Sequence, residues 1–341
     1  MANEKVTSLQ VAQRAGVSQS AVSRVFTPGA SASKKTIEKV HKAAKELGYR
    51  PNVLARSLIT GKSRIIGMVV AYLDNFFYPA AVEKLSVGLQ EKGYHVLIFM
   101  AAATINVAEV EEVMHEILDY QVDGMVLASV SLSSVLAGKC EDLGVPVLLF
   151  NRDQDDQRLS SVTTDNFTGG RAVAEHLLGC GYRKLGYIAG FEGASTQRDR
   201  EQGFRAGLAQ AGLALHSRGV GNFSHDEARA AAREMFSHGD RPDAVFVCND
   251  HMAFAVIDTL RSELGLRVPE DVGVAGFDDV PISAWPAYDM TTYSQPLDRM
   301  VAETIATLID RIESGNPDPR RLRLEGKLVV RKTTRPTGDP T

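Results

Sequence analysis

From Arg64 onward, short apolar runs alternate with longer amphipathic stretches, and this alternation constrains the fold more than any other feature of the 341-residue chain. The runs lie at 65–71, 95–101, 124–128, 145–150, 184–189, 244–247 and 272–276. Continuous apolar runs of this length suit parallel strands buried on both faces. Helical stretches near 79–92, 106–120, 132–143, 168–180, 200–211, 225–238, 250–264 and 296–314 separate them. The expectation is an α/β core of two doubly wound lobes, because the two halves repeat the same order of elements. Ligands of such sheets sit at the carboxyl ends of the strands, and between two lobes those ends form a cleft.

The first fifty residues follow a different rule. Segment 8–25 reads as two short helices joined at Gly16, with Thr7 and Gln10 forming a capping box and Ser18 an N-cap. Leu9, Val11, Ala12, Ala15, Val17, Val22 and Val25 can build a small core, which leaves Gln19, Ser20, Ser23 and Arg24 facing outward. A helix-turn-helix places such residues against base edges and phosphates; a plain surface hairpin is the alternative. A third helix starts at Ser33 and ends at Gly48, and a short helix over 52–59 follows Pro51. Eight residues are too few for a stable isolated helix, so this segment is expected to order only against a twin or against DNA. Gly61-Lys62-Ser63 ends like a P-loop, but Arg56 stands where that motif needs glycine.

Charge separates along the same boundary. Residues 1–64 carry twelve Lys or Arg against three Glu, a net of +9, while the whole chain is −4, leaving −13 for the remainder. A basic head suits phosphate neutralisation, and an acidic body stays off the polyanion. No apolar stretch reaches the roughly 20 residues of a membrane span and no secretory leader is evident, so the expectation is a cytoplasmic protein without membrane contact. Cys140, Cys180 and Cys248 show no CxxC or CxH spacing and read as buried thiols. GxSxG, a complete P-loop and HExxH are all missing, so a sugar-processing enzyme is the weaker reading, with neither cofactor nor metal expected.

Polar residues cluster where strands end. They include Asp74-Asn75, Asn151-Arg152, Thr164-Asp165-Asn166, Cys248-Asn249-Asp250, Asp278-Asp279 and Gln295, with Arg198 and Arg200 opening the helix after Gly190. Fixed donors and carboxylate acceptors beside Phe76, Phe77 and Tyr78 suit a polyhydroxylated ligand. Helix capping is the competing explanation for Asp165, Asn166 and Asp250.

These motifs, in this order, resemble the LacI/GalR family of bacterial transcription regulators from about Val6 to Thr334. They are Val11-Ala12, Ala15-Gly16-Val17-Ser18, Val22-Ser23-Arg24-Val25, Leu47-Gly48-Tyr49-Arg50-Pro51-Asn52, Ala55-Arg56-Ser57-Leu58 and Ile66-Gly67. Val122-Asp123-Gly124, Thr164-Asp165-Asn166, Gly203-Phe204, Cys248-Asn249-Asp250 and Gly276-Phe277-Asp278-Asp279 complete the set.

The resemblance implies a DNA-binding domain over 1–50, a hinge over 51–63 and a periplasmic-binding-protein-like core over 64–341. One lobe would take about 64–163 plus 293–324, the other about 164–292 plus 325–341. It further implies base-edge contacts from Gln19, Ser20 and Arg24, phosphate contacts from Ser18, Ser23 and Asn52, and a DNA contact at Ala55. Leu58 would wedge into the minor groove, plain packing against Leu54 being the alternative. The matching effector positions are Asn75, Phe77, Tyr78, Ser129, Asn151, Arg152, Thr164, Arg200, Phe223, Asn249, Asp278 and Gln295. The partners implied are palindromic operator DNA, a small-molecule effector and a second copy of the chain. Two departures stand out: Asn151 where many sugar-binding members have Asp, and Phe76 where Pro is frequent. The missing carboxylate brings a sugar phosphate or small organic acid into competition with a neutral sugar. A repressor is expected, an activator being the alternative.

Overall fold

The computed structural model describes residues 6–26, 30–50, 62–71, 73–101, 107–130 and 132–338, in two compact units, Met1–Arg64 and Ile65–Thr341. In the first unit, α1 (Ser8–Ala15), α2 (Gln19–Val25) and α3 (Lys34–Leu47) start at side-chain caps from Thr7, Ser18 and Ser33. The Thr7–Gln10 pair makes both bonds of the capping box, and α1 and α3 end on Gly16 and Gly48 in the left-handed conformation. Val11, Ala12, Ala15, Val22, Val40, Ala43 and Ala44 form the core. Leu9 does not join it and is 51% exposed. It lies about 200° around the helix from Val11, off the buried stripe.

The second unit holds two six-stranded sheets. The first contains β1 (Ile65–Val70), β2 (His95–Met100), β3 (Gly124–Ala128), β4 (Val147–Phe150), β5 (Ser160–Thr164) and β11 (Arg321–Leu324), ordered β11-β5-β4-β3-β1-β2. The second contains β6 (Leu185–Ala189), β7 (Ser217–Val220), β8 (Ala244–Val247), β9 (Gly273–Asp278), β10 (Thr291–Ser294) and β12 (Lys327–Val329), ordered β12-β10-β9-β8-β6-β7. All pairings are parallel except β12 with β10. The helices are α4 (Phe77–Glu91), α5 (Val107–Asp119), α6 (Ser134–Asp142), α7 (Asn166–Gly179), α8 (Ser195–Gln210), α9 (His225–Phe236), α10 (Asp250–Asp258) and α11 (Leu297–Ser314). A π turn over Thr259–Glu263 continues α10.

The chain passes between the sheets three times, after β5, after β10 and after β11. Thr164 closes a strand of the first sheet and Ser294 one of the second, so the first two crossings fall a residue or two beyond the positions expected. One strand departs from its sequence pattern. His95–Met100 reads as a fully buried run, yet β2 is the sheet's outer edge, with Ile98 and Met100 about half exposed.

Helices α7 and α8 cross closely because both present glycine at the contact. A Cβ on Gly170 would stand 2.1 Å from the Arg200 carbonyl oxygen, and one on Gly203 1.9 Å from that of Phe167. This crossing fixes the first turns of α8 against the start of α7. Gly203→Ala should therefore push the helices apart and lower core stability by about 2–3 kcal/mol in urea unfolding. An unchanged midpoint would show that the helices can slide without cost.

Candidate functional site

In the helical head, Ser18 Oγ accepts from Ala21 N at 3.2 Å and starts α2. Val22 turns fully inward, which leaves Ser18, Gln19, Ser20, Ser23 and Arg24 on the exposed face. Gln19 Nε2 donates to Ser8 Oγ at 2.9 Å and Arg24 Nε to the Ser20 carbonyl at 3.4 Å. These bonds orient both side chains while keeping them on the surface. Asn52, Ala55, Leu58 and the expected helix over 52–59 lie outside the described residues.

In the core, strand ends from both sheets line a narrow cleft, about 330 Å³ when the space open to solvent is included. Asn75, Phe77, Tyr78, Ser129 and Asn151 line it from the first lobe; Thr196, Arg200, Phe223, Asn249 and Asp278 line it from the second. Ser129, Asn151, Phe223 and Asp278 all have positive φ, which turns each residue off its strand axis. Such backbone costs free energy outside glycine and persists where the surroundings enforce it. Phe223 is one case: a Cβ on Gly190 would come within 2.2 Å of its ring.

Asn75 Oδ1 accepts from Phe77 N at 2.9 Å, so the turn after β1 delivers Phe77 and Tyr78 at the first residues of α4. Asn151 Nδ2 donates to the Tyr78 hydroxyl at 3.1 Å. Asn151 Oδ1 is buried and accepts no hydrogen bond from the described residues. Burial pushes the Tyr78 phenol above its ordinary value, so it stays protonated.

Arg200 organises the opposite wall at 2% exposure. Its Nε donates to Asn166 Oδ1 at 2.8 Å and its Nη1 to the Cys248 carbonyl at 2.6 Å. Its Nη2 stands 3.7 Å from Asp278 Oδ1, and the guanidinium lies 3.7 Å above the Phe277 ring. Arg198 is exposed and pairs with Asp199. Burial pushes the Asp278 carboxyl up to about 7, with Asp250 adding to the rise and Arg200 and Gln295 opposing it.

Three anticipated residues stand behind the lining. Arg152 Nη2 donates to Ser129 Oγ at 2.9 Å, which fixes that hydroxyl from the rear. Thr164 donates to Gln295 Oε1 at 2.6 Å, and Gln295 Nε2 to Asp278 Oδ1 at 2.7 Å. Thr196 lines the cleft without having been singled out. It stands four residues before Arg200 on α8, and that spacing puts both on one helix face. Two capping assignments are corrected. Asp165 caps α7 and Asn249 caps α10; Asn166 instead holds Arg200. Asp250 accepts from Val280 N, Ser283 Oγ and Thr292 Oγ1.

Comparison with known proteins places this geometry. Residues 9–52 match the description "Bacterial regulatory proteins, lacI family" and residues 174–334 a periplasmic binding protein-like domain. The HTH-type transcriptional regulator CelR of Thermobifida fusca is 34% identical over 332 residues, 95% of this chain and 96% of that protein. The chain belongs to the LacI family. It is a DNA-binding transcriptional regulator and not an enzyme. The repressor PurR of Vibrio vulnificus (strain CMCP6) is 30% identical over 333 residues, 96% of this chain and 98% of that one. Among solved LacI-family structures, a lac repressor dimer bound to operator and the anti-inducer ONPF superposes with a TM-score of 0.88 at 27% identity, covering 98% and 100% of the two chains. A CelR–cellobiose complex gives 0.72 at 32% identity, covering 96% and 100%.

Asp278 gives this LacI-family core a pH signature. A carboxyl whose pKa is higher folded than unfolded binds its proton more tightly in the native state. Its contribution to stability is complete below about pH 4 and is lost as pH rises to about 7. Relative to Asp278→Asn, the wild-type core should lose stability across that window in pH-dependent unfolding. Parallel curves would contradict the buried, proton-binding Asp278.

Proposed function

We propose that this regulator is a cytoplasmic homodimeric repressor that releases a palindromic operator when a neutral sugar binds the cleft. The observation that carries the effector class is the state of Arg200. Its charge faces Asp278 at 3.7 Å, and its Nε and Nη1 donors are committed to Asn166 and Cys248. An anion would compete with Asp278 for that charge. Sugar hydroxyls find acceptors in Asp278 and in Asn151 Oδ1, and Phe77, Tyr78 and Phe223 offer apolar cover for a ring. The solved CelR complex holds cellobiose, a neutral disaccharide. Although Asn151 lacks the carboxylate, Arg152 stands behind Ser129 and Arg200 faces Asp278, so no uncompensated cation stands among the described lining residues.

Gln19, Ser20 and Arg24 read base edges, while Ser18 and Ser23 position the head on phosphates, consistent with their exposure beside Val22. Asn52, Ala55 and Leu58 carry the hinge contacts, Leu58 as the minor-groove wedge. A second copy covers the exposed Ile98 and Met100, two residues apart on the edge strand β2, and the exposed Val87 of α4. The effector acts by population shift, so its control of the operator equals its differential affinity for the two states.

A thermal-shift screen of sugars, sugar phosphates and organic acids tests the effector class. Neutral sugars should raise the Tm of the wild type and not of Arg200→Ala, whose operator binding by fluorescence anisotropy should remain. Stabilisation by phosphorylated sugars or acids alone would overturn the neutral-sugar reading.

A further inference from the structure

Gln295 joins the cleft to the crossings between the lobes without lining the cleft. Thr164 ends the last strand before the first crossing, Gln295 begins the second crossing, and Asp278 ends β9. The Thr164 hydroxyl donates to Gln295 Oε1 at 2.6 Å, which turns the amide nitrogen toward Asp278 Oδ1 at 2.7 Å. The chain of contacts closes on itself. Asn166 Nδ2 donates to the Thr164 carbonyl at 2.9 Å, Asn166 Oδ1 accepts from Arg200, and Arg200 faces Asp278.

Resting on the reading of the cleft as an effector site, we infer that Gln295 is a positioning residue: its amide, oriented by Thr164, holds the Asp278 carboxyl toward the effector as an acceptor and favours its ionised form. The charge arrangement makes that role necessary. Asp278 faces the buried Arg200 guanidinium, while a second buried carboxylate, Asp250, acts on Asp278 and opposes its charge. Asp250 has three donors of its own in Val280 N, Ser283 Oγ and Thr292 Oγ1. Asp279 is paired with Arg331 at 2.7 Å. The remaining groups that act electrostatically with Asp278 are the Tyr78 phenol and the Cys248 thiol, both kept neutral by burial. Gln295 thus supplies the hydrogen bond that favours the ionised form against burial. By donating to Oε1, the Thr164 hydroxyl leaves the amide nitrogen to face Asp278 Oδ1, where the bond is stronger to a carboxylate than to a neutral carboxyl.

The direct readout needs no ligand. Full-length protein labelled with ¹³C at the Asp carboxyl carbons is titrated by NMR, the Asp278 signal being assigned by its loss in Asp278→Asn. The wild-type midpoint should lie at about 7. Gln295→Leu should raise it by roughly 1–2 pH units, the equivalent of one charge-assisted hydrogen bond. Thr164→Val should raise it by less, and serves alone if Gln295→Leu does not fold. A variant midpoint equal to or below the wild-type value overturns the inference. With a sugar found in the screen, Gln295→Leu should weaken binding at neutral pH and recover it at alkaline pH. A loss equal at every pH would make Gln295 a direct contact or a purely structural residue. If no sugar binds the wild type, the effector reading fails, and the ligand-free titration still decides the role of Gln295.

Discussion

Arg200 brings a full positive charge into the core, and the arrangement of the cleft follows from holding it there. An unpaired buried guanidinium would be strongly destabilising, and a buried ion pair is favourable only when its remaining donors are met. Asn166 on α7, the Cys248 carbonyl just after β8 and Asp278 on β9 meet them, and the Phe277 ring of the same β9 covers the guanidinium face. That convergence requires the first turns of α8 to lie against the start of α7, which the glycines at the crossing permit. Moving either helix would separate Arg200 from Asn166, and Asn166 is tied to Thr164 at the end of the first lobe's β5. Charge burial, helix packing and the first crossing between the lobes are therefore one problem with one solution.

Much of the fold is legible because buried parallel strands need continuous apolar runs. β1, β3, β4, β6, β8 and β9 announce themselves that way, and they are the strands whose ends build the cleft. β7, β11 and β12 do not, since they sit at sheet edges with half-exposed sequences such as Ser217–Val220 and Arg321–Leu324. β2 misleads in the opposite sense: its apolar side chains suit a partner surface as well as a core.

The site is legible by position more than by role. Asp165-Asn166 and Asn249-Asp250 each offer two capping residues in succession, and sequence does not say which stays outside the helix. In both pairs the first residue caps and the second turns inward, Asn166 to Arg200 and Asp250 to the donors behind β9. Thr164 and Gln295 likewise belong to the neighbourhood of the cleft, yet act on it through Asp278. Positive φ at Ser129 and Phe223 carries no local sequence signal, because it is enforced by packing such as that of Gly190 against the Phe223 ring.

The central claim is that occupancy of the cleft and occupancy of the operator are coupled, and linkage makes that coupling reciprocal. Effector affinity measured by calorimetry on the free full-length chain and on the chain saturated with operator duplex tests it most directly. The account predicts that operator weakens effector binding by the factor by which effector weakens operator binding, roughly 5–150-fold. Equal effector affinity in the two states would contradict it.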